Sequence, residues 1–287
     1  MTIKLNDYMP QIEDLVERTL DEDLSSGDAT TDPLIPPHTH GRASFIAKAT
    51  GVLAGVEIAR LAFLKIDPFL RFITLVKDGC TLQPNSIIAT VEGYVPGILK
   101  AERTALNFLQ HLSGIATLTA VYVGTVNGLP VKILDTRKTV PGLRILEKYA
   151  VLAGGGSNHR LNLGDMVLIK DNHIAILRQQ GLGIADIVHQ ARNKAPHGVK
   201  IEIETTNPED ALEAAQSGAD IVMLDNMALN EMRRAVNMIN HKAIVEASGG
   251  VNLDTVRAIA ETGVDWISVG ALTHSAKALD ISLDLSV

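Results

Sequence analysis

Short apolar segments alternate with helical segments through the second half of the chain. Segments that start at residues 200, 221, 243 and 266 are spaced 21 to 23 residues apart, and VKILD and MVLIK precede them. Helical patterns such as PEDALEAAQSG and LDTVRAIAETG lie between them. This alternation produces parallel strands with right-handed crossovers, which limits the fold to a barrel or a doubly wound sheet. Six such strands in about 140 residues favour an open or reduced barrel over a closed eight-stranded one.

The first third of the chain has a different, α+β pattern, in which regular helices do not separate the strands. The spacing predicts helices over residues 10–22 and over VEIARLAFLKI, and strands over residues 41–50, 72–76 and 86–95. Two further helices are predicted over residues 97–110 and 114–126, separated by Ser113-Gly114.

We place the domain boundary between these two helices. Residues 1–113 are expected to form an amino-terminal α/β domain, and residues 114–274 are expected to form the barrel. The tail ALDISLDLSV alternates apolar and polar residues. It is therefore predicted to be a strand that returns to the first domain, over residues 275–287.

Composition excludes several classes of protein. The formal net charge is −7 and only ten residues are Phe, Tyr or Trp, which argues against a nucleic-acid surface. No apolar run is long enough to span a bilayer, and the amino terminus lacks the order of a signal peptide. The single cysteine, Cys80, fits a reducing compartment. We expect a soluble cytoplasmic protein with a small-molecule ligand.

A basic segment interrupts this acidic chain between residues 135 and 173. Its fixed cations outnumber its acids by six to four, and it also contains His159 and His173; the cations are Arg137, Lys138, Arg144, Lys148, Arg160 and Lys170, and the acids are Asp135, Glu147, Asp165 and Asp171. The segment predicts either a pocket for a small polyanion or a solvated helix face followed by a loop. The positions of the charges relative to the strands favour the pocket.

Polar residues follow nearly every predicted strand at its carboxyl end, where ligand sites form in parallel α/β folds. Cations dominate after the early strands, and Glu204 and Asp225 end later strands. The planar guanidinium group of arginine can form two parallel hydrogen bonds to a carboxylate or a phosphate. Two carboxylates that face phosphates need a cation between them, which predicts a Mg²⁺ site at Glu204 and Asp225. Glu202 shares the face of Glu204 and is expected either to line the barrel interior or to contact ligand.

Glycine-containing turns follow the last two predicted strands. Ser248-Gly249-Gly250 precedes a helix expected to begin near Leu253, so its backbone N–H groups suit a phosphate. Gly270-Ala271 is a second candidate. Glycine pairs also end strands without binding anything, so each alone is a weak signal. The run at residues 154–156 lacks the strand-then-helix setting of a dinucleotide site and is interpreted as a flexible loop.

Several motifs resemble those of the quinolinate phosphoribosyltransferase family. They are ERTALNFLQHLSGIAT, DTRKTVPGLRILEKYAV, GGGSNHRLNLGDMVLIKDNH, IEIE, MLDN, EASGG and VGALTHS, and the resemblance runs from about Asp28 to the last residue. It implies an amino-terminal α/β sandwich domain and an open barrel of about seven strands. It also implies a homodimer, or a higher oligomer, with shared active sites. The implied reaction is quinolinate plus phosphoribosyl pyrophosphate giving nicotinate mononucleotide, pyrophosphate and CO₂, with Mg²⁺, in NAD biosynthesis.

The resemblance also assigns roles to individual residues. It implies that the quinolinate carboxylates are bound by Arg137, His159, Arg160 and Lys170, with Arg103 supplied by the partner subunit. It implies that phosphoribosyl pyrophosphate and Mg²⁺ are bound by Thr136, Lys138, Glu204, Asp225, Ser248, Gly249, Gly250, Gly270 and Ala271. The catalytic residues implied are Lys138, Lys170, Glu204 and Asp225. Without the family, Arg103 would be interpreted as a solvated residue of an amphipathic helix.

Three alternative functions remain open from the sequence. A phosphoribosyltransferase that does not decarboxylate would act on a ring acid with one carboxylate, and would need fewer cations. A sugar-phosphate isomerase or synthase on the same barrel would leave the cation cluster unexplained. A catalytically inactive binding or regulatory protein would retain the pocket without turnover.

Overall fold

The computed structural model describes residues 3–287 as two compact units. The amino-terminal unit contains the described residues up to Ala120, together with Thr139–Gly155 and Leu272–Val287. The barrel unit contains Val121–Lys138 and Gly156–Ala271. Residues 114–120, 139–155 and 272–274, which the sequence placed in the barrel segment, thus belong to the amino-terminal unit. Among the described residues, no helix is long and apolar enough to cross a membrane.

Twelve strands occur in the described part of the chain. They are β1 His40–Ala47, β2 Gly51–Val52, β3 Arg71–Thr74, β4 Thr81–Leu82, β5 Ile87–Tyr94, β6 Lys132–Leu134, β7 Val167–Ile169, β8 Ile201–Thr205, β9 Ile221–Asp225, β10 Ile244–Ser248, β11 Trp266–Ser268 and β12 Ile281–Ser286.

A 3₁₀ turn over Leu5–Tyr8 precedes eleven helices within the same described residues. They are α1 Met9–Leu24, α2 Thr31–Leu34, α3 Val56–Ile66, α4 Val95–Thr125, α5 Arg144–Ala153, α6 Asp171–Arg178, α7 Ile184–Lys194, α8 Pro208–Gln216, α9 Leu229–Ile239, α10 Val256–Ala260 and α11 Ala271–His274.

The amino-terminal unit is built on an antiparallel sheet with the strand order β12-β1-β5-β3, beside a separate β2-β4 pair. The rings of Phe45, Phe63 and Phe72 lie within 5.8 Å of one another, centroid to centroid, and join β1, α3 and β3 in its core. The predicted return of the tail is confirmed. β12 pairs with β1 in a register that places Leu283 opposite Phe45.

The prediction of two helices around Ser113-Gly114 was wrong, because α4 is continuous for 31 residues. The Ser113 hydroxyl accepts a hydrogen bond from the N–H of Ala54 at 3.0 Å and donates one to its carbonyl at 3.2 Å. A Cβ added at Gly114 would collide with the backbone carbonyl of Lys277. These two residues therefore serve close packing along the helix. Sequence alone does not distinguish that role from a helix break.

The barrel unit contains a parallel sheet with the order β6-β11-β10-β9-β8-β7, so the six predicted strands are confirmed. β6 and β7 form its two edges and are not paired with each other. Beyond β6, Ser157 forms a single parallel bridge to Leu134, and its N–H donates to the carbonyl of Ile133 at 2.8 Å. This bridge occupies the position of a seventh strand, and the fold is an open α/β barrel.

Successive residues of β8 point to opposite faces of this sheet. Ile201 and Ile203 share one face, and Glu202 and Glu204 share the other. All of these except Glu204 are fully buried. Apolar side chains fill the interior of most α/β barrels, so carboxylates at this level are unusual. On the acidic face of β8, Glu204 follows Glu202 and lines a cavity at the carboxyl end of the sheet.

Candidate active site

One cavity of about 610 Å³ lies at the carboxyl ends of the parallel strands. Every strand of the barrel sheet contributes to it, either with its last residues or with the residues that follow. Its lining residues are Thr136, Arg137, Lys138, His159, Arg160, Leu168, Lys170, Asp171, Glu204, Met223, Asp225, Asn226, Glu246, Ser248, Gly249, Gly250 and Ser268. Its volume falls within the usual range for small-molecule sites.

Eleven of the fourteen site residues predicted from the sequence line this cavity. The other three are Arg103, Gly270 and Ala271. Gly270 and Ala271 follow β11, but the chain enters the short helix α11 there and neither residue lines the cavity. Arg103 is exposed on α4, in the amino-terminal unit.

Two guanidinium groups make the early-strand side of the cavity basic. Nη1 of Arg160 donates to the carbonyl of Met166 at 3.0 Å. Nε of Arg137 is buried and has no hydrogen-bond partner among the described residues. Burial lowers the pKa of Arg160, and the charge of Arg137 lowers it further. Two guanidinium groups on one side of a cavity, one of them with a buried Nε that has no partner in the described residues, favour an anionic ligand between them.

The acids of the basic segment are mostly occupied in shaping this part of the cavity. The buried carboxylate of Asp135 accepts the N–H of His159 at 2.8 Å and the amide of Asn158 at 2.6 Å. The carboxylate of Asp165 accepts the N–H of Leu161 at 2.7 Å. Glu147 contacts His111 in the amino-terminal unit. Of the charged side chains in this segment, four cations but only one acid, Asp171, line the cavity.

The remaining cations of the segment lie elsewhere. Arg144 and Lys148 belong to α5 in the amino-terminal unit. His173 accepts the N–H of Lys170 through Nδ1 at 2.9 Å, which caps the start of α6. None of these three side chains lines the cavity.

The acidic side of the cavity contacts the basic side directly. Nζ of Lys170 lies 3.0 Å from Oε1 of Glu204, whose second oxygen accepts the N–H of Asp171 at 3.3 Å. On the next strand, the Asn226 amide donates to Asp225 at 3.0 Å. The two carboxylates predicted to bind Mg²⁺ thus end adjacent strands and line one cavity. Their oxygen atoms fit the preference of Mg²⁺ for a few carboxylates together with phosphate oxygens and water.

The turn after β10 requires glycine. Gly249 and Gly250 have φ values of +88° and +62°. A Cβ added at Gly249 would overlap the side-chain amide of Asn226, with Nδ2 at 2.7 Å. The helix expected near Leu253 begins only at Val256 and has five residues, so the backbone of the glycine turn itself faces the cavity.

His159, which lines the same cavity as the arginines, contacts two buried carboxylates. Its Nε2 lies 3.1 Å from Glu202 and 3.4 Å from Glu246, and both acids are fully buried. Burial of the ring lowers its pKa, but the two carboxylates outweigh this and raise the pKa of His159 to about 10. Burial raises the pKa of Glu202 to about 7 against the opposing effect of His159.

Within residues 3–287, this trio is the one group of three His, Cys, Asp or Glu side chains whose ligand atoms lie close enough to share a metal ion. Its imidazole nitrogen suits Mg²⁺ less well than the carboxylate oxygens of Glu204 and Asp225 do. Glu202 was predicted only to share the face of Glu204. Glu246 and Ser268 were not predicted as site residues, although both lie at the carboxyl ends of strands.

Comparison with known proteins identifies the family. Models of the quinolinate phosphoribosyl transferase N-terminal and C-terminal domains match residues 28–113 and 115–284. A probable carboxylating nicotinate-nucleotide pyrophosphorylase from Bacillus subtilis is 41% identical over 277 residues, which cover 96% of this chain and 94% of that protein. The carboxylating nicotinate-nucleotide pyrophosphorylase of Mycobacterium leprae is 42% identical over 280 residues, which cover 95% of this chain and 96% of that protein.

Solved structures agree with the sequence comparisons. The crystal structure of NadC from Streptococcus pyogenes matches with a TM-score of 0.92 at 42% identity, and the match covers 96% of each chain. The predicted family is therefore confirmed by sequence and by fold. The chain, with its cavity at the carboxyl ends of an open α/β barrel, belongs to the quinolinate phosphoribosyltransferase family.

Proposed function

We propose that this protein transfers the phosphoribosyl group of phosphoribosyl pyrophosphate to quinolinate and releases CO₂. The products are nicotinate mononucleotide and pyrophosphate, a step of NAD biosynthesis. The observation that carries the proposal is the division of one cavity into a side with two guanidinium groups and a side with carboxylates and a glycine turn. The family supplies the reaction for which this division is suited.

The basic side is proposed to bind the pyridine dicarboxylate. Arg137 and Arg160 offer planar forks that match carboxylates in paired hydrogen bonds. Nε of Arg137 is a buried donor without a hydrogen-bond partner in residues 3–287, so a ligand oxygen would satisfy it. Lys170 adds a third cation at the boundary with the acidic side.

The acidic side is proposed to bind phosphoribosyl pyrophosphate with Mg²⁺. Glu204 and Asp225 would hold the ion, which when bound supplies positive charge to the pyrophosphate. The backbone of Ser248, Gly249 and Gly250 would bind the terminal phosphate through N–H groups. Thr136 and Lys138, which follow β6, line the same cavity and are proposed to contact the phosphates.

The chemistry requires charge stabilisation more than a base. The neutral ring nitrogen attacks the ribose carbon as the bond to pyrophosphate breaks, and the leaving pyrophosphate takes that electron pair. Lys138 and Lys170 are proposed to stabilise the charge that develops, because cations already positioned in the cavity need little rearrangement. The C–CO₂ bond then breaks, the cationic ring accepts its electron pair, and a proton takes the place of CO₂ on that carbon.

The assembly is part of the proposal. We propose a cytoplasmic homodimer, or a higher oligomer built from it, in which Arg103 of one subunit completes the site of the partner. The exposure of Arg103 on the long helix α4 supports this role. The reactive residues proposed above all lie in the barrel unit.

A turnover assay tests the proposed function. The purified protein is incubated with Mg²⁺, phosphoribosyl pyrophosphate and carboxyl-labelled quinolinate, and nicotinate mononucleotide and labelled CO₂ are measured together. Lys170→Ala should abolish both products. Arg178→Ala, which removes an exposed cation of the same unit outside the cavity, is the matched control and should not. Turnover of nicotinate without release of CO₂ would favour a non-decarboxylating enzyme, and no turnover of either acid would contradict the proposal.

A further inference from the structure

The carboxylates of Glu202 and Glu246 lie on strands that do not touch each other. Glu202 is on β8 and Glu246 is on β10, with β9 between them. Both side chains reach the same nitrogen, Nε2 of His159, at 3.1 Å and 3.4 Å. One imidazole therefore joins two strands of the barrel at the cavity, which His159 and Glu246 help to line.

Stability alone does not account for this arrangement. Both acids are fully buried, and within the described residues Nε2 of His159 is the polar group that their oxygens are shown to contact. Desolvation of a carboxylate is costly, and replacement of a buried ion pair by apolar side chains is often neutral or stabilising. An α/β barrel ordinarily fills this level with branched apolar residues. The two charges are therefore better explained by what they do for the site.

Both ring nitrogens of His159 face protein atoms. Nε2 faces the two carboxylates, and Nδ1 lies 2.9 Å from the backbone N–H of Arg160, which is directed at it. The two carboxylates favour a hydrogen on Nε2, and the N–H of Arg160 is directed at Nδ1, so these contacts together fix the orientation of the ring.

The cluster of His159, Glu202 and Glu246 is connected to the guanidinium groups through the backbone of Arg160. His159 contacts the backbone of Arg160, whose guanidinium lines the cavity near that of Arg137. The charge of Arg137 opposes the charged form of Arg160, whereas the charge of Glu202 favours it. Glu202 thus provides a counter-charge that favours the charged form of Arg160 beside Arg137.

We propose that His159, Glu202 and Glu246 are positioning residues that hold Arg160 beside Arg137 for the dicarboxylate. This inference rests on the proposed function. It differs from the role implied by family resemblance for His159, in which the imidazole itself contacts quinolinate. Here the acids orient the ring, the ring orients the Arg160 amide, and the guanidiniums bind the ligand.

A double-mutant cycle tests the proposal. The variants are His159→Asn, the double variant Glu202→Gln/Glu246→Gln, and the triple variant that combines them. Quinolinate affinity is measured by calorimetry, and KM and kcat are measured for both substrates. Each partial variant is expected to weaken quinolinate binding about tenfold or more, with little change in the KM for phosphoribosyl pyrophosphate. The triple variant should bind quinolinate only slightly more weakly than His159→Asn or the diacid variant does.

Two further variants separate positioning from general structural damage. Glu246→Asp retains the charge and should recover part of the quinolinate affinity that Glu246→Gln loses. Asp265→Asn is the matched control, because Asp265 is a barrel acid that accepts the N–H of Val245 at 2.8 Å and does not line the cavity. It should lower the unfolding midpoint without changing quinolinate affinity. If the diacid variant does not fold, His159→Asn and Glu246→Gln form the same cycle.

The outcomes are distinct. Additive losses from His159 and from the acids would overturn the proposal and indicate that the imidazole binds quinolinate independently. Equal losses for both substrates, in proportion to a fall in the unfolding midpoint, would also overturn it. A wild-type protein that neither binds nor converts quinolinate would contradict the proposed function, and this inference would fail with it.

Discussion

Nζ of Lys170 lies 3.0 Å from Oε1 of Glu204, and this ion pair joins the basic and acidic sides of the cavity. Under the proposed function, Lys170 contacts quinolinate and Glu204 binds Mg²⁺. Each ligand would therefore compete with the ion pair for one of its members. Binding of either ligand would release the other member, so quinolinate and the magnesium complex of phosphoribosyl pyrophosphate should bind with positive coupling.

Glu204→Gln should separate the two effects of this ion pair. With Lys170 released, quinolinate should bind more tightly in the absence of Mg²⁺, as measured by calorimetry. Turnover should nevertheless fall roughly a hundredfold or more, because charge stabilisation at the pyrophosphate is lost. Asp225→Asn removes an acid of the same side that is not paired with Lys170. Equal tightening by both variants would contradict a specific role for the ion pair.

Arg137→Lys retains a positive charge but loses the planar fork. Because truncation of a buried, hydrogen-bonded charge pair costs about 2–5 kcal/mol, the KM for quinolinate should rise roughly 30-fold or more. The KM for phosphoribosyl pyrophosphate should remain close to that of the wild type. Steady-state kinetics with each substrate varied in turn measure both values, and Arg178→Lys on the exposed surface serves as the control. A quinolinate KM near the wild-type value would remove Arg137 from the anion site.

Gly249→Ala should impair both folding and phosphate binding. Its φ of +88° disfavours any side chain, and the new Cβ would also overlap the Asn226 amide. Gly181→Ala is a matched control, since Gly181 has a φ of +84° and nothing within 4 Å of its added Cβ. The control should lose about 1 kcal/mol of unfolding free energy, and Gly249→Ala should lose distinctly more. Denaturant unfolding and the KM for phosphoribosyl pyrophosphate measure the two effects. Equal losses of unfolding free energy in both variants would show that the overlap with Asn226 has no energetic effect.

The pKa of His159 predicts how stability depends on pH. Although burial opposes it, Glu202 and Glu246 raise the pKa of the folded protein's imidazole to about 10, above its ordinary value of 6.5. The folded state thus retains the proton more strongly, and this contribution is complete below about pH 6.5 and is lost as the pH rises through 10. Between pH 7 and pH 10 the wild type should lose more unfolding free energy than His159→Asn. Urea titrations at several pH values test this, and parallel profiles would contradict it.

The shared-site proposal predicts complementation between inactive variants. Arg103→Ala and Lys170→Ala should each lose most activity as homodimers. A mixed dimer would contain one site in which both residues are intact, so subunit exchange should restore part of the turnover. Mass spectrometry verifies exchange in the same samples. Mixed dimers without activity would contradict the contribution of Arg103 to the partner's site.

The sequence predicts the barrel well because each of its signals is local. Strands such as β9 and β10 are apolar runs of constant spacing, and polar residues mark their carboxyl ends. Since parallel strands place those ends at one edge, Lys170 and Glu204 could be assigned to a common cavity before the structure was known. The expected strand at the tail was equally visible as alternation, and its return to the amino-terminal unit is confirmed.

What the sequence did not reveal depends on contacts distant in the chain. Ser113-Gly114 resembles a helix break until the carbonyl of Lys277 is seen against Gly114. Glu246 was not recognised as a partner of His159 because the contact crosses β9 and requires the strand order. Gly270 was predicted to bind phosphate from its position after β11, and only the path of the chain into α11 shows that it does not line the cavity.

The pairing of β12 with β1 has a consequence for biosynthesis. β1 emerges from the ribosome long before β12, and every strand of the barrel is translated in between. The outer edge of β1 therefore remains open during most of translation, when it is a potential site for pairing with another nascent chain. The amino-terminal sheet is therefore begun first and completed last. A chain that ends before β12 would leave the outer edge of β1 unpaired.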